Sequence, residues 1–136
     1  MREQMYSREV IAPATVQRWI EKLGYEVTPT NKNTLRVRPS AVATLPPFYI
    51  QCGENWVMLS MLPVFRAGES VPDDLWHRLL MVNRDMRVAK FALGEDDEVV
   101  LCAELPTESL QYAELADAVT RLVEYYRHYR DYLLRP

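Results

Sequence analysis

Four strand-like stretches follow one another between Tyr25 and Leu62, the first two alternating apolar and polar residues and the last two richer in apolar ones, and this run limits the fold more than any other feature of the chain. Tyr25-Glu26-Val27-Thr28 and Thr34-Leu35-Arg36-Val37-Arg38 flank the turn-forming Asn31-Lys32-Asn33 and predict a hairpin with one solvated face. Phe48 to Cys52 and Trp56 to Leu62 flank Gly53-Glu54-Asn55 and predict a second hairpin. The intervening Ser40 to Pro47, with Pro46 and Pro47, keeps no period and reads as a connection or an irregular edge. Trp56 to Leu62 has almost no polar residue on either face. Such a strand is central and covered on both sides, or covered on one side by a partner.

Around this run the period becomes helical. Val16, Trp19, Ile20 and Leu23 recur at helix spacing between Pro13, tolerated in a first turn, and Gly24, suited to a helix end. A second helix is expected after Pro72-Asp73-Asp74, with Leu75, Leu79, Val82 and Met86 as its stripe and Trp76 and Leu80 widening the apolar arc. Val88 to Leu93 and Val99 to Ala103 read as a strand pair turning at Gly94-Glu95-Asp96-Asp97. The last helix is expected from Ser109 to Leu134, with Leu115, Val119, Leu122, Tyr126, Tyr129 and Leu133 on one stripe. Its early Glu108, Glu114 and Asp117 and late Arg121, Arg127, Arg130 and Arg135 complement the helix dipole. The order α-ββββ-α-ββ-α separates strands from helices and predicts an α+β fold built on an antiparallel sheet. With 136 residues, 49% of them hydrophobic and 26% charged, the chain has the size and balance of one globular domain spanning residues 1–136.

A formal net charge of −3 argues against a protein that gains its affinity by neutralising phosphates, so no nucleic acid partner is expected. Met1 to Ser7 lacks the apolar core of a secretory signal, and no apolar stretch nears the roughly 18 residues of a membrane span. A cytoplasmic protein with no membrane partner is expected. There is no G-x-S-x-G, H-E-x-x-H, G-x-x-x-x-G-K-[ST] or G-x-G-x-x-G pattern, and a non-enzymatic chain with no catalytic residues, metal or cofactor is expected. His77 follows Asp73 and Asp74 at helical spacing, which permits a carboxylate–imidazole pair, although a solvated helix face is the simpler reading. Asp96, Asp97 and Glu98 lack the longer loop and alternating carboxylates of a calcium site and read as a hairpin tip. Cys52 and Cys102 each sit in an apolar strand-like run as small buried side chains; a redox pair would require adjacent strands.

The least usual local composition is Tyr125-Tyr126-Arg127-His128-Tyr129-Arg130-Asp131-Tyr132, where Tyr125 and Tyr132 lie off the main stripe. Packing, a protein interface enriched in Tyr and Arg, and base stacking are three readings of it, in that order. The candidate partner-binding residues are therefore Trp56, Met58 and Met61, then Tyr125 and Tyr132, each of which also has a core reading. Strand parity puts Trp56 and Met58 on the face opposite Met61, so at least one of the three is core.

Taken together, Met81-Val82-Asn83-Arg84, Val88-Ala89-Lys90-Phe91-Ala92-Leu93, Glu98-Val99-Val100-Leu101, Ala103-Glu104-Leu105-Pro106 and the closing helix resemble the YbjN-like family, which shares its fold with type III secretion chaperones. The resemblance is carried by motif in the C-terminal half and by element order in the N-terminal half. It implies a type III secretion chaperone-like fold, a homodimer, and binding of extended segments of client proteins over the sheet and hydrophobic patches. The chain is less acidic than a typical secretion chaperone. The alternative is a small-molecule-binding regulatory domain, with a pocket between the sheet and the last helix bounded by Tyr and Arg.

Overall fold

The computed structural model of the protein is described for residues 11–39 and 45–136. Most of the 40–47 connection and all of Met1 to Ser7 lie outside the described residues. Helix α1 spans Pro13–Lys22 and is followed by strands β1 (Glu26–Asn31), β2 (Thr34–Arg38), β3 (Phe48–Cys52) and β4 (Trp56–Met61). Then come helix α2 (Leu75–Asp85), β5 (Ala89–Leu93), β6 (Val99–Pro106) and helix α3 (Tyr112–Leu134). The predicted order is the observed one. The six described strands form one antiparallel sheet in the order β1-β2-β3-β4-β6-β5.

The register explains where the core sits. Val27, Val37, Phe48, Met61, Leu101 and Phe91 align as one row across the strands, and Pro29, Leu35, Ile50, Leu59, Ala103 and Ala89 as the next. From β2 to β5 every member of both rows is at most 4% exposed. Because side chains alternate across a strand, the intervening row, Thr28, Arg36, Tyr49, Ser60, Cys102 and Lys90, must face the other way. Val16 and Ile20 of α1, Leu75, Leu79 and Val82 of α2, and Leu115, Val119, Leu122 and Leu133 of α3 join the core rows in a single hydrophobic cluster. The described helices thus cover one face of the sheet and leave the other open.

Local chemistry accounts for the element ends. Pro13 stands in the first turn of α1 behind Ala12, and Gly24, at φ 97°, turns the chain out of the helix toward β1. The last helix begins at Tyr112, three residues later than its composition suggests, because Ser109 has φ 60° and Leu110 closes a turn on the Thr107 carbonyl. Gln111 and Glu114 then form a capping box, in which the Gln111 N–H donates to the Glu114 carboxylate. Strand β6 runs three residues past Ala103, since Glu104, Leu105 and Pro106 pair with Met58, Val57 and Trp56. Strand β5 starts at Ala89, because Val88 has φ 70° and cannot continue the pleat.

Two polar clusters fasten the long connection between β4 and α2 and the end of α3. Arg130 reaches both carboxylate oxygens of Glu69 at 2.6 Å and donates to the Val64 carbonyl at 3.2 Å, while the Arg66 N–H donates to the same carboxylate. Arg78 of α2 pairs with Asp74 and donates to the carbonyls of Tyr132 and Arg135, satisfying acceptors that the end of α3 leaves open. Arg130, read from sequence as a partner of the helix dipole, thus also fastens a connection, while the side chain that caps α3 is Arg78.

Hydrogen bonds from the Arg66 backbone and then the Arg130 guanidinium hold the Glu69 carboxyl below its ordinary range. A lowered folded-state pKa stabilises the fold above the unfolded value of about 4.3, and this contribution fades as pH falls through the folded value. Urea midpoints measured from about pH 6 to about pH 3 should fall more steeply for the wild type than for Glu69→Gln. Parallel curves would show that the carboxylate carries no such linkage.

Candidate functional site

The two faces of β4 differ as parity requires. Val57, Leu59 and Met61 are fully buried, whereas Trp56 is 51% and Met58 37% exposed. β4 is central, between β3 and β6, and its second face is covered by no described element. Met61 therefore belongs to the core and cannot share a surface with Trp56 and Met58.

Met58 stands between Gln51 on β3 and Glu104 on β6, and Trp56 lies opposite Pro106. Trp56, Val88, Lys90, Cys102, Ala103 and Glu104 line a shallow depression of about 250 Å³ on this open face. Its lining combines apolar side chains with one positive and one negative one, Lys90 and Glu104. An indole and a thioether that stay half in water in the middle of a sheet form an apolar strip that a partner can dry.

A second apolar surface lies at the β5 side. Trp76 and Leu80, four residues apart on α2, are 53% and 71% exposed, and Leu93 at the end of β5 is 56% exposed. With Leu79, Asn83, Phe91 and Ala92 they line an apolar groove of about 260 Å³. Sequence reasoning placed Trp76 and Leu80 on the flank of the helix stripe but did not single them out. Their exposure was the missing datum, because a residue's type does not reveal whether anything stands opposite it.

The tyrosine-rich segment is mostly spent internally. Tyr125 accepts from the Arg87 N–H at 3.0 Å and from Arg121 at 3.3 Å, and its hydroxyl donates to the Arg87 carbonyl. Tyr126 and Tyr129 pack against the core, and burial raises the Tyr129 phenol pKa, with the negative charge of Asp85 adding to the effect. Tyr132, 36% exposed, lies beneath the Arg78 guanidinium at 5.6 Å. The space between sheet and α3 is filled by aliphatic side chains, among them Leu101, Leu115 and Leu122 at 0% exposure.

The remaining chemistry-bearing residues are dispersed. Asp74 is engaged by Arg78 at 3.0 Å, one turn along α2, and His77 is exposed. Cys52 on β3 and Cys102 on β6 are separated by β4 and project to opposite faces of the sheet, which rules out the adjacent strands a redox pair requires. Burial pushes the Cys52 thiol up to about 11. It also raises that of Cys102, with Glu104 contributing. Among the described residues no group of three His, Cys, Asp or Glu side chains could hold a metal ion, and no helix is long and apolar enough to cross a membrane.

This architecture has relatives. The family model CesT_Tir_1, which describes type III chaperones, matches residues 11–135. Among curated proteins no sequence match was found. A chain of the heterodimeric ExoU–SpcU complex from the type III secretion system of Pseudomonas aeruginosa is similar in structure, with a TM-score of 0.63 and 24% identity, over 89% of this chain and 98% of that one. The Yersinia pestis type III secretion chaperone SycH, solved with a fragment of YscM2, gives 0.58 and 19% over 86% and 98%. YbjN, a putative transcription regulator from E. coli, gives 0.57 and 16% over 88% and 96%. At these identities the likeness is one of fold, and it places the α+β sheet described above in the type III secretion chaperone-like class.

Proposed function

Because the chain belongs to the CesT_Tir_1 family of type III chaperones, we propose that it is a non-enzymatic protein-binding module that acts as a homodimer in the cytoplasm and holds a segment of a partner protein against the open face of its sheet. The observation that carries this reading is the exposed strip of Trp56 and Met58 on a strand whose other face is fully buried. Solved proteins of similar fold stand in complexes with protein partners, ExoU–SpcU and SycH–YscM2 among them, which supports a protein ligand. Lys90 and Glu104 beside the strip suit a segment whose apolar side chain is flanked by charges of both signs.

The second copy is assigned to the groove of Trp76, Leu80 and Leu93, which leaves the open sheet face of each protomer for its partner. Tyr132 lies outside both surfaces, and Tyr125 supports the fold from within.

A photoreactive phenylalanine analogue at position 58, expressed in cells of the protein's own source, tests this reading. A protein adduct formed from position 58 and not from position 96, at the hairpin tip, is the expected result. No adduct from position 58, joined to a strictly monomeric mass in solution, would overturn it.

A further inference from the structure

We propose that Asn83 and Tyr125 seal the free edge of β5 against the addition of another strand. β5 is the last strand of the sheet on its side. The Gly94 N–H donates to the Glu98 carbonyl at 2.7 Å, and with the β5–β6 register this turns the backbone groups of Lys90 and Ala92 toward β6. Those of Ala89, Phe91 and Leu93 consequently point outward. Such a row of outward donors and acceptors is a template for pairing with another chain.

Here the row is already occupied. The Phe91 N–H donates to Asn83 Oδ1 at 2.8 Å, and Asn83 Nδ2 donates to the Phe91 carbonyl at 2.9 Å. A side-chain amide offers the same donor and acceptor as a peptide group, so Asn83 stands in for one residue of a seventh strand. Four residues upstream the Tyr125 hydroxyl does the same for Arg87, accepting from its N–H at 3.0 Å and donating to its carbonyl at 3.3 Å. Between them the Ala89 N–H closes on the Arg87 carbonyl at 2.8 Å in a tight turn, with Val88 at φ 70°. From 87 to 91 each outward N–H is thus taken by the chain itself, and Leu93 is the outward residue left beyond the seal.

Asn83 also lines the groove with Trp76, Leu80 and Leu93, so the seal lies inside the apolar surface. Whatever docks there finds an outward N–H open at Leu93 alone, so two copies cannot pair edge to edge along the 87–91 stretch of β5. This inference is independent of the partner assigned to the open face and survives its failure.

Amide hydrogen exchange on the full-length protein tests the seal. In the dilute wild type, Phe91 should exchange at least about tenfold more slowly than Leu93; equal, fast exchange at both would overturn the proposal without any variant. Asn83→Ala should speed exchange at Phe91 and bring association beyond the wild-type mass as concentration rises, with Phe91 protection returning as the assemblies grow. A folded Asn83→Ala with wild-type exchange and wild-type mass at every concentration would overturn the seal. Tyr125→Phe removes only the hydroxyl, keeps the ring packing, and should speed exchange at Arg87 alone.

Discussion

Trp76→Glu combined with Leu80→Glu is expected to leave a folded monomer. Both side chains project from one face of α2 into solvent, and their neighbour Leu93 extends the apolar surface onto β5. Side chains of this kind at the centre of an interface are each worth about 2 kcal/mol or more when truncated. Two neighbouring carboxylates facing their own copies add repulsion, so the dissociation constant of the proposed dimer should rise by about three orders of magnitude. Far-UV circular dichroism and the urea midpoint should change little, because neither residue belongs to the buried stripe of Leu75, Leu79 and Val82. Sedimentation equilibrium at matched concentrations reads the outcome. A variant that keeps a dimeric mass, or a wild type that is itself monomeric, would overturn the assignment of a second copy to this groove.

The second large effect separates two methionines three residues apart. Met61 is fully buried between Phe48 and Leu101, and Met61→Ala should destabilise the fold by about 2–5 kcal/mol through lost contacts and the cavity left behind. Met58 faces the open side, and Met58→Ala should shift stability by less than about 0.5 kcal/mol. Met58→Glu is the functional counterpart: it leaves the urea midpoint near the wild-type value and abolishes adduct formation from a photoreactive group at position 56. Equal destabilisation by the two alanine variants would mean that the open face is packed in solution.

This contrast was legible in advance, because a period of two fixes which residues share a face once a strand is recognised, and Trp56, Met58 and Met61 sort themselves by number alone. The hairpins, the antiparallel sheet and the core stripes of α2 and α3 were legible for the same reason. Beyond the shifted ends of β6 and α3, three features were not. The positive φ of Val88 leaves no mark in a β-branched residue that ordinarily favours strands, so β5 was expected one residue early. The exposure of Trp76 and Leu80 depends on which elements stop short of them. The pairing of Asn83 with Phe91 joins a helix end to a strand eight residues on, and only coordinates bring the amide to that backbone.

The strand order has a consequence for how the chain reaches this state. β1 to β4 pair in sequence, and β5 pairs with β6, so each group assembles through short hairpins, while β4 and β6 meet only after the α2 and β5 segments have been traversed. Closing that distance costs entropy before any contact rewards it, which makes the β4–β6 seam the expected slow step of folding. The same seam offers an exchange route. If the connection fastened by Arg130 and Glu69 opens in two molecules at once, each can close its seam with the other's C-terminal half and give an intertwined pair with the same core.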